Sequence, residues 1–346
     1  MRAARLAEQK AALKAELAAM EKFGHHEEFL ARLVEIVEAP ERTPGEATGG
    51  HPVADGTLGY FQLGQFARWH RPRVEKGLPS YADAASRHHP LPVIVDFRDQ
   101  LLAHRIELLV VAVPSRIEIY PELLLELPTL DGFAGMGIGT VRFLAQLNEA
   151  GVETLDLRPS FVASRFGLVG DREDQLFFRT DTHWSPRGAE LAAVEVGARV
   201  ASLPWFVRGP LQEGRDFLLE RRTIVFAANV DRVPSRRPET VEATLVRAGD
   251  GPFDRCSDRS RFVVVGDSFT AILDSWGADF TTHLARTLGH RLDLVQTDGD
   301  AASEGLRKLA LWNASRWKSR KLVIWCLSAQ SLGCDPKWEK VAVFHE

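Results

Sequence analysis

The chain has 346 residues, 45% of them hydrophobic and 26% charged, which suits one large globular domain or two modest ones. A formal net charge of −4 provides no long-range pull towards nucleic acid or an anionic membrane surface, so no nucleic-acid partner is expected. Three cysteines (Cys256, Cys326 and Cys334) are too few and too unevenly spaced for a disulfide framework, and without a CxxC pair they do not suggest a zinc site; no metal or cofactor is expected.

The N-terminus, MRAARLAEQKAALKAELAAMEKFG, is charged throughout, and no window approaches the roughly 18 apolar residues that span a bilayer. Neither a signal peptide nor a transmembrane segment is therefore read in the chain as given. Residues 1–39 form an N-terminal helical segment. Leu6, Leu13, Leu17 and Met20 share one face, as do Phe29, Leu30, Leu33, Val34 and Val37, and such stripes bury against the body or a partner. Residues 40–52, rich in Pro, Gly and charge, read as a linker. The pairs His25-His26 and His88-His89 sit in charged stretches and read as surface.

From residue 53 to 346 short apolar runs alternate with amphipathic stretches. Pro92 opens a helix with Ile94, Phe97 and Leu101 on one face. Ile106–Val113 (IELLVVAV) is a strand buried on both sides. A helix around Thr140–Glu149 leads to a strand at Glu153–Leu157, and Gln175–Phe178 is a further strand candidate. Residues 204–260, with five prolines, are an irregular insertion or small subdomain in which Thr223–Ala227 and Glu242–Val246 suit a hairpin. The last third is a βαβαβ series: strand Arg261–Val265, helix from Phe269, strand Arg291–Val295, helix Ala301–Trp317, strand Lys321–Leu327. This alternation predicts an α/β fold with a doubly wound, mostly parallel sheet.

Two stretches carry chemistry. In RFVVVGDSFTAILDSW an apolar strand runs into Gly266-Asp267-Ser268. A serine at a strand-to-helix turn sits at the carboxyl edge of the sheet, where open α/β folds bind ligands, and amides opening a following helix suit a developing oxyanion. The plainer reading is that Ser268 is a helix N-cap. In Asp181-Thr182-His183-Trp184-Ser185-Pro186, the Ser-Pro pair marks a helix start, which leaves Asp181 and His183 on extended chain and on the same side of it. A carboxylate so placed can orient and stabilise an imidazole that serves a serine nucleophile. Here the plainer reading is a turn hydrogen bond beside a core tryptophan. Together the two stretches supply nucleophile (Ser268), base (His183) and orienter (Asp181).

These stretches resemble the alginate O-acetyltransferase family and its SGNH-hydrolase-like catalytic domain. The matching segments are VVAVPSRIEIYPEL, GVETLDLRP, FFRTDTHWSPRGAE and VVVGDSFT, in the family's order, with a weaker DGTLGYF near Asp55. The Asp/His pair precedes the GDS serine, the reverse of the order in ordinary SGNH hydrolases, so the motif order is permuted. The resemblance implies a triad of Ser268, His183 and Asp181. It also implies that Pro114-Ser115-Arg116 lies beside the site, with Ser115 or Arg116 contacting substrate or oxyanion, or else forming a structural turn. Trp184 would wall the pocket or stack on sugar, or pack in the core.

The activity implied is transfer of an acetyl group to a polysaccharide hydroxyl through an acetyl-serine, outside the cytoplasm, with a donor supplied by a membrane-bound O-acyltransferase. An esterase with the same triad and a non-catalytic glycan-binding or assembly protein are the alternatives. Arg232, Arg236 and Arg237 form a cluster suited to an acidic polysaccharide or to a solvated loop.

Overall fold

The computed structural model describes residues 2–38, 81, 89–127, 129–165, 175–178, 181–227, 238–297, 303–332 and 338–345. The expected linker, the DGTLGYF stretch, His88, Cys334 and the Arg232/Arg236/Arg237 cluster lie outside the described residues. No helix among the described residues is long and apolar enough to cross a membrane.

The centre is a five-stranded, fully parallel sheet of β1 (Glu107–Val113), β2 (Glu153–Asp156), β6 (Phe262–Gly266), β7 (Asp293–Gln296) and β8 (Leu322–Ser328). Its strand order is β2-β1-β8-β6-β7. Alternation along the strands divides the core in two. Leu108, Val110, Ala112, Val263, Val265, Val323 and Trp325 face one side, and Leu109, Val111, Val113, Val264, Ile324 and Cys326 the other. Both sides are covered, which is why these strands read as continuous apolar runs.

The first side is covered by α3 (Pro90–Ala103), α5 (Ile138–Glu149) and α9 (Ser303–Ala310), the second by α6 (Arg158–Ser164), α7 (Pro186–Ala201) and α8 (Phe280–Leu288). The doubly wound sheet expected from the sequence is thus present. The N-terminal helices α1 (Arg2–Phe23) and α2 (His26–Glu38) dock on the body. Leu13 and Met20 join the first core, while Phe29 and Leu33 pack with Ile117, Leu124 and Met136.

Several sequence expectations shift. The helix expected from Pro92 begins at Pro90, capped by His89, whose Nδ1 accepts the Leu91 amide at 3.1 Å. His89 is fully buried, with its ring edge-on to Phe143, so the surface reading fails for it; the ring is drawn inward by the cap it makes. Gln175–Phe178 forms no strand, only the single bridge Phe177–Trp184. The helix expected across Ala301–Trp317 breaks after Ala310 and restarts as α10 (Ala314–Trp317), because Asn313 caps a new turn through the Arg316 amide at 3.0 Å.

The 204–260 stretch holds a second, antiparallel sheet of β3 (Leu218–Phe226), β4 (Glu239–Ala248) and the short β5 (Gly251–Pro252). Its Phe226 ring stacks on Phe178 at 3.8 Å between centroids, and Ile224, Val241 and Leu245 pack with Leu273 and Ala278. The small sheet therefore backs both segments that carry the site.

Candidate active site

Ser268 leaves the carboxyl end of β6. Gly266 ends that strand, and the packing demands a glycine there, since a Cβ would fall 2.4 Å from the Thr270 methyl. Asp267, not Ser268, is the cap of the turn that follows. Its carboxylate accepts the Phe269 amide at 3.0 Å and its carbonyl the Thr270 amide at 3.0 Å. That frees the serine hydroxyl from capping duty.

The helix expected from Phe269 starts late. Ser268–Thr270 and Asp274–Trp276 are single 3-10 turns, and α8 begins only at Phe280. Asp267 has taken two of the amides that a helix start would have offered to an oxyanion. The Ser268 amide, first in its turn, has no carbonyl partner within that turn.

His183 and Asp181 lie on a bend rather than extended chain, immediately before α7. Ser185 caps α7, accepting the Gly188 amide at 3.3 Å and donating to the Gln175 carbonyl at 2.5 Å, and Pro186 opens its first turn. Asp181 is fully buried. Its Oδ1 accepts the His183 amide at 3.0 Å and lies 2.5 Å from His183 Nδ1. Both readings of the pair hold at once: the turn hydrogen bond is there, and so is the contact to the ring.

His183 Nε2 lies 2.7 Å from Ser268 Oγ, 85 positions along the chain. With Nδ1–H donating to the carboxylate, Nε2 is left to accept from the serine hydroxyl. The His183 side chain is 15% exposed and Ser268 is half-buried, whereas Asp181 at the other end of the series is fully buried. Phe269 packs against the imidazole at 4.7 Å between ring centroids.

Of the three residues suggested as substrate contacts, Trp184 and Ser115 are buried and Arg116 is half-buried. Trp184 is fully buried, packed against Phe269, Phe280 and Phe161; the expectation that it walls the pocket or stacks on sugar fails because no face of the ring is open. Ser115 is 3% exposed and opens the short helix α4 (Arg116–Ile119). Its amide donates to Glu118 Oε2 at 2.7 Å, a structural turn of capping-box type. Arg116 is half-buried and donates to the Phe178 carbonyl at 2.9 Å, in the segment leading to His183.

Sequence reasoning passed over Asp267, Glu118 and Tyr120. Asp267 was open to discovery, since aspartate before a short apolar run is a capping signal. Glu118 was not, because its burial comes from contacts far along the chain. The Glu118 carboxyl is fully buried, and a Cβ on Gly137 would fall 1.9 Å from its Oε1. Burial raises its pKa to about 7, against the opposing pull of the Arg158 guanidinium. Among the described residues no cluster of His, Cys, Asp or Glu could hold a metal ion.

A parallel, doubly wound sheet with a Ser–His–Asp series at its carboxyl edge, the Asp/His pair preceding the serine in the chain, defines an SGNH-hydrolase-like domain of permuted motif order. Residues 74–329 match the family described as SGNH hydrolase-like domain, acetyltransferase AlgX, and the chain belongs to that family. It is 33% identical over 111 residues to a probable alginate O-acetylase AlgJ of Pseudomonas syringae pv. tomato, covering 32% of this chain and 26% of that protein. A probable alginate O-acetylase AlgJ of Pseudomonas fluorescens is 32% identical over 104 residues, covering 30% and 24%. The matched stretch thus spans about a quarter of each of these relatives. Among solved structures, the O-acetyltransferase domain of Pseudomonas putida AlgJ shares the fold, with a TM-score of 0.53 and 24% identity over 71% of this chain and 83% of that one.

Proposed function

We propose that this protein is an O-acetyltransferase that moves an acetyl group to a polysaccharide hydroxyl through an acetyl ester on Ser268. The observation that carries the reading is the continuous series Asp181 Oδ1–His183 Nδ1 (2.5 Å) and His183 Nε2–Ser268 Oγ (2.7 Å).

In this reading Ser268 Oγ attacks the acetyl carbonyl of the donor and its proton passes to His183 Nε2. Asp181 steadies the imidazolium, the donor's leaving group departs with that proton, and acetyl-Ser268 remains. The acceptor hydroxyl then gives its proton to Nε2 as its oxygen attacks the acetyl carbonyl. The new ester leaves, and the proton returns to Ser268 Oγ. General-base help of this kind is worth on the order of 10²–10⁴ in rate. Membership of the acetyltransferase family supports acetyl as the group carried, and the AlgJ relatives support a polysaccharide such as alginate as acceptor. The same reading sets the reaction outside the cytoplasm, with a membrane-bound O-acyltransferase as donor partner and residues 53–346 as the catalytic domain.

The test has two stages. Ser268→Ala and His183→Ala should each abolish turnover of p-nitrophenyl acetate without loss of the folded state, and retained turnover in either variant defeats the mechanism. Wild-type protein given the same donor with and without a polysaccharide acceptor separates transfer from hydrolysis. Acetate release unchanged by acceptor, with no acetylated polymer, makes the protein an esterase.

A further inference from the structure

We infer that the four-residue helix α4, with Tyr120 at its end, is a clamp for the base: Arg116 and Tyr120 are positioning residues that hold the 176–178 segment, and through it His183, in register with Ser268. The inference rests on the reading of His183 as general base.

The need for a clamp follows from what residues 175–178 lack. They run beside the site without joining a sheet, so a single bridge, Phe177–Trp184, is all the strand pairing that sets their register. On the side of the body they are held by a pair of contacts from one short helix. Tyr120 Oη accepts the Leu176 amide at 3.3 Å, and Arg116 donates to the Phe178 carbonyl at 2.9 Å. Residues two apart on one edge are thereby gripped by two side chains.

The grip is passed on to the base. The Phe178 amide donates to the His183 carbonyl at 3.1 Å, and the Ser185 amide donates to the Leu176 carbonyl at 2.9 Å. Leu176 and Phe178 therefore tie down both ends of the bend that carries Asp181 and His183.

The clamp has a firm base. α4 springs from the carboxyl end of β1, which is hydrogen-bonded to β2 on one side and β8 on the other. Its first turn is fixed by the Ser115 amide on buried Glu118, and Gly137 leaves the room that carboxyl fills. Tyr120 is 3% exposed, its ring edge-on to Phe177. A base that must meet its nucleophile to within about half an ångström calls for this kind of support.

The experiment uses the full chain with Arg116→Ala, Arg116→Lys and Tyr120→Phe, and Ser268→Ala as control. Readouts are kcat and KM for p-nitrophenyl acetate and the downfield proton resonance of the Asp181–His183 hydrogen bond, identified by its loss in Asp181→Asn. Arg116→Ala should lower kcat on the order of 10²-fold, the cost of a misplacement near 1 Å, with KM little changed. Its downfield resonance should broaden or vanish. Arg116→Lys should recover part of both, and Tyr120→Phe should show a smaller loss of the same kind.

A rise in KM alone in Arg116→Ala, with kcat and the resonance intact, overturns the clamp and makes Arg116 a substrate contact. If Arg116→Ala does not fold, the other two variants decide: wild-type kcat and resonance in both overturn it. Turnover retained in Ser268→Ala defeats the underlying mechanism instead, whatever the Arg116 variants do.

Discussion

Asp181 uses one oxygen for two purposes: Oδ1 closes the turn on the His183 amide and faces the His183 ring. The two uses separate on substitution. An asparagine carbonyl can still accept the backbone amide, so the bend survives, but it carries no charge to offset an imidazolium. Asp181→Asn should therefore lower kcat for p-nitrophenyl acetate by on the order of 10⁴, as expected when the orienting carboxylate of a serine triad becomes an amide. Its melting temperature should stay close to that of the wild type. A variant that melts early and loses activity in proportion to the unfolded fraction would make Asp181 a structural residue only. This division was half legible in the sequence: the residue types and their spacing gave the pair its chemistry, whereas the shared oxygen belongs to a bend that the flanking Ser-Pro signal does not specify.

At the scale of elements, what could be read was local and what was missed was tertiary. The start of α7 was legible because Ser185-Pro186 carries its own capping chemistry. The late start of the helix after Ser268 was not, since the apolar spacing before Phe280 fits a helical face equally well. There Asp267 captures the first amides, and Gly277, at φ +71 with a Cβ position 2.6 Å from the Val246 carbonyl, ends the second turn against β4. The start of α7 also has a task beyond the helix, since Ser185 Oγ donates to the Gln175 carbonyl. Gly188 packs so close that a Cβ would lie 2.2 Å from the Leu176 carbonyl. Ser185→Ala removes both the cap and the tether. It should cost about 1 kcal/mol in urea denaturation, the usual worth of an N-cap. It should also lower kcat, whereas the loss of a distant cap would affect stability alone. Unchanged kcat would show that the 175–178 segment keeps its place without this tether.

For the whole molecule, the N-terminal segment was expected to bury an apolar stripe, and it does, but charge decides how it docks. Arg5 pairs with Glu107 at 2.8 Å and Glu153 at 2.6 Å, while Glu16 reaches Arg158 at 2.7 Å. Arg158 is 1% exposed and also pairs with Asp156. Glu118 lies within their field, so three carboxyls share one buried guanidinium. Burial, ahead of any neighbour, raises the pKa of both Glu16 and Glu118. For Glu118 the rise runs from 4.5 to about 7. Between those values the folded protein holds a proton that the unfolded chain has released, so stability falls as pH rises through the window. At about 1.4 kcal/mol per unit, Glu118 accounts for a loss of about 3 kcal/mol by neutral pH, absent below pH 4.5. Glu118→Gln keeps an acceptor for the Ser115 amide and removes the titration. Unfolding free energies from urea at a series of pH values should therefore show a shallower decline in Glu118→Gln than in the wild type. Parallel slopes would mean that the Glu118 carboxyl ionises freely where it lies.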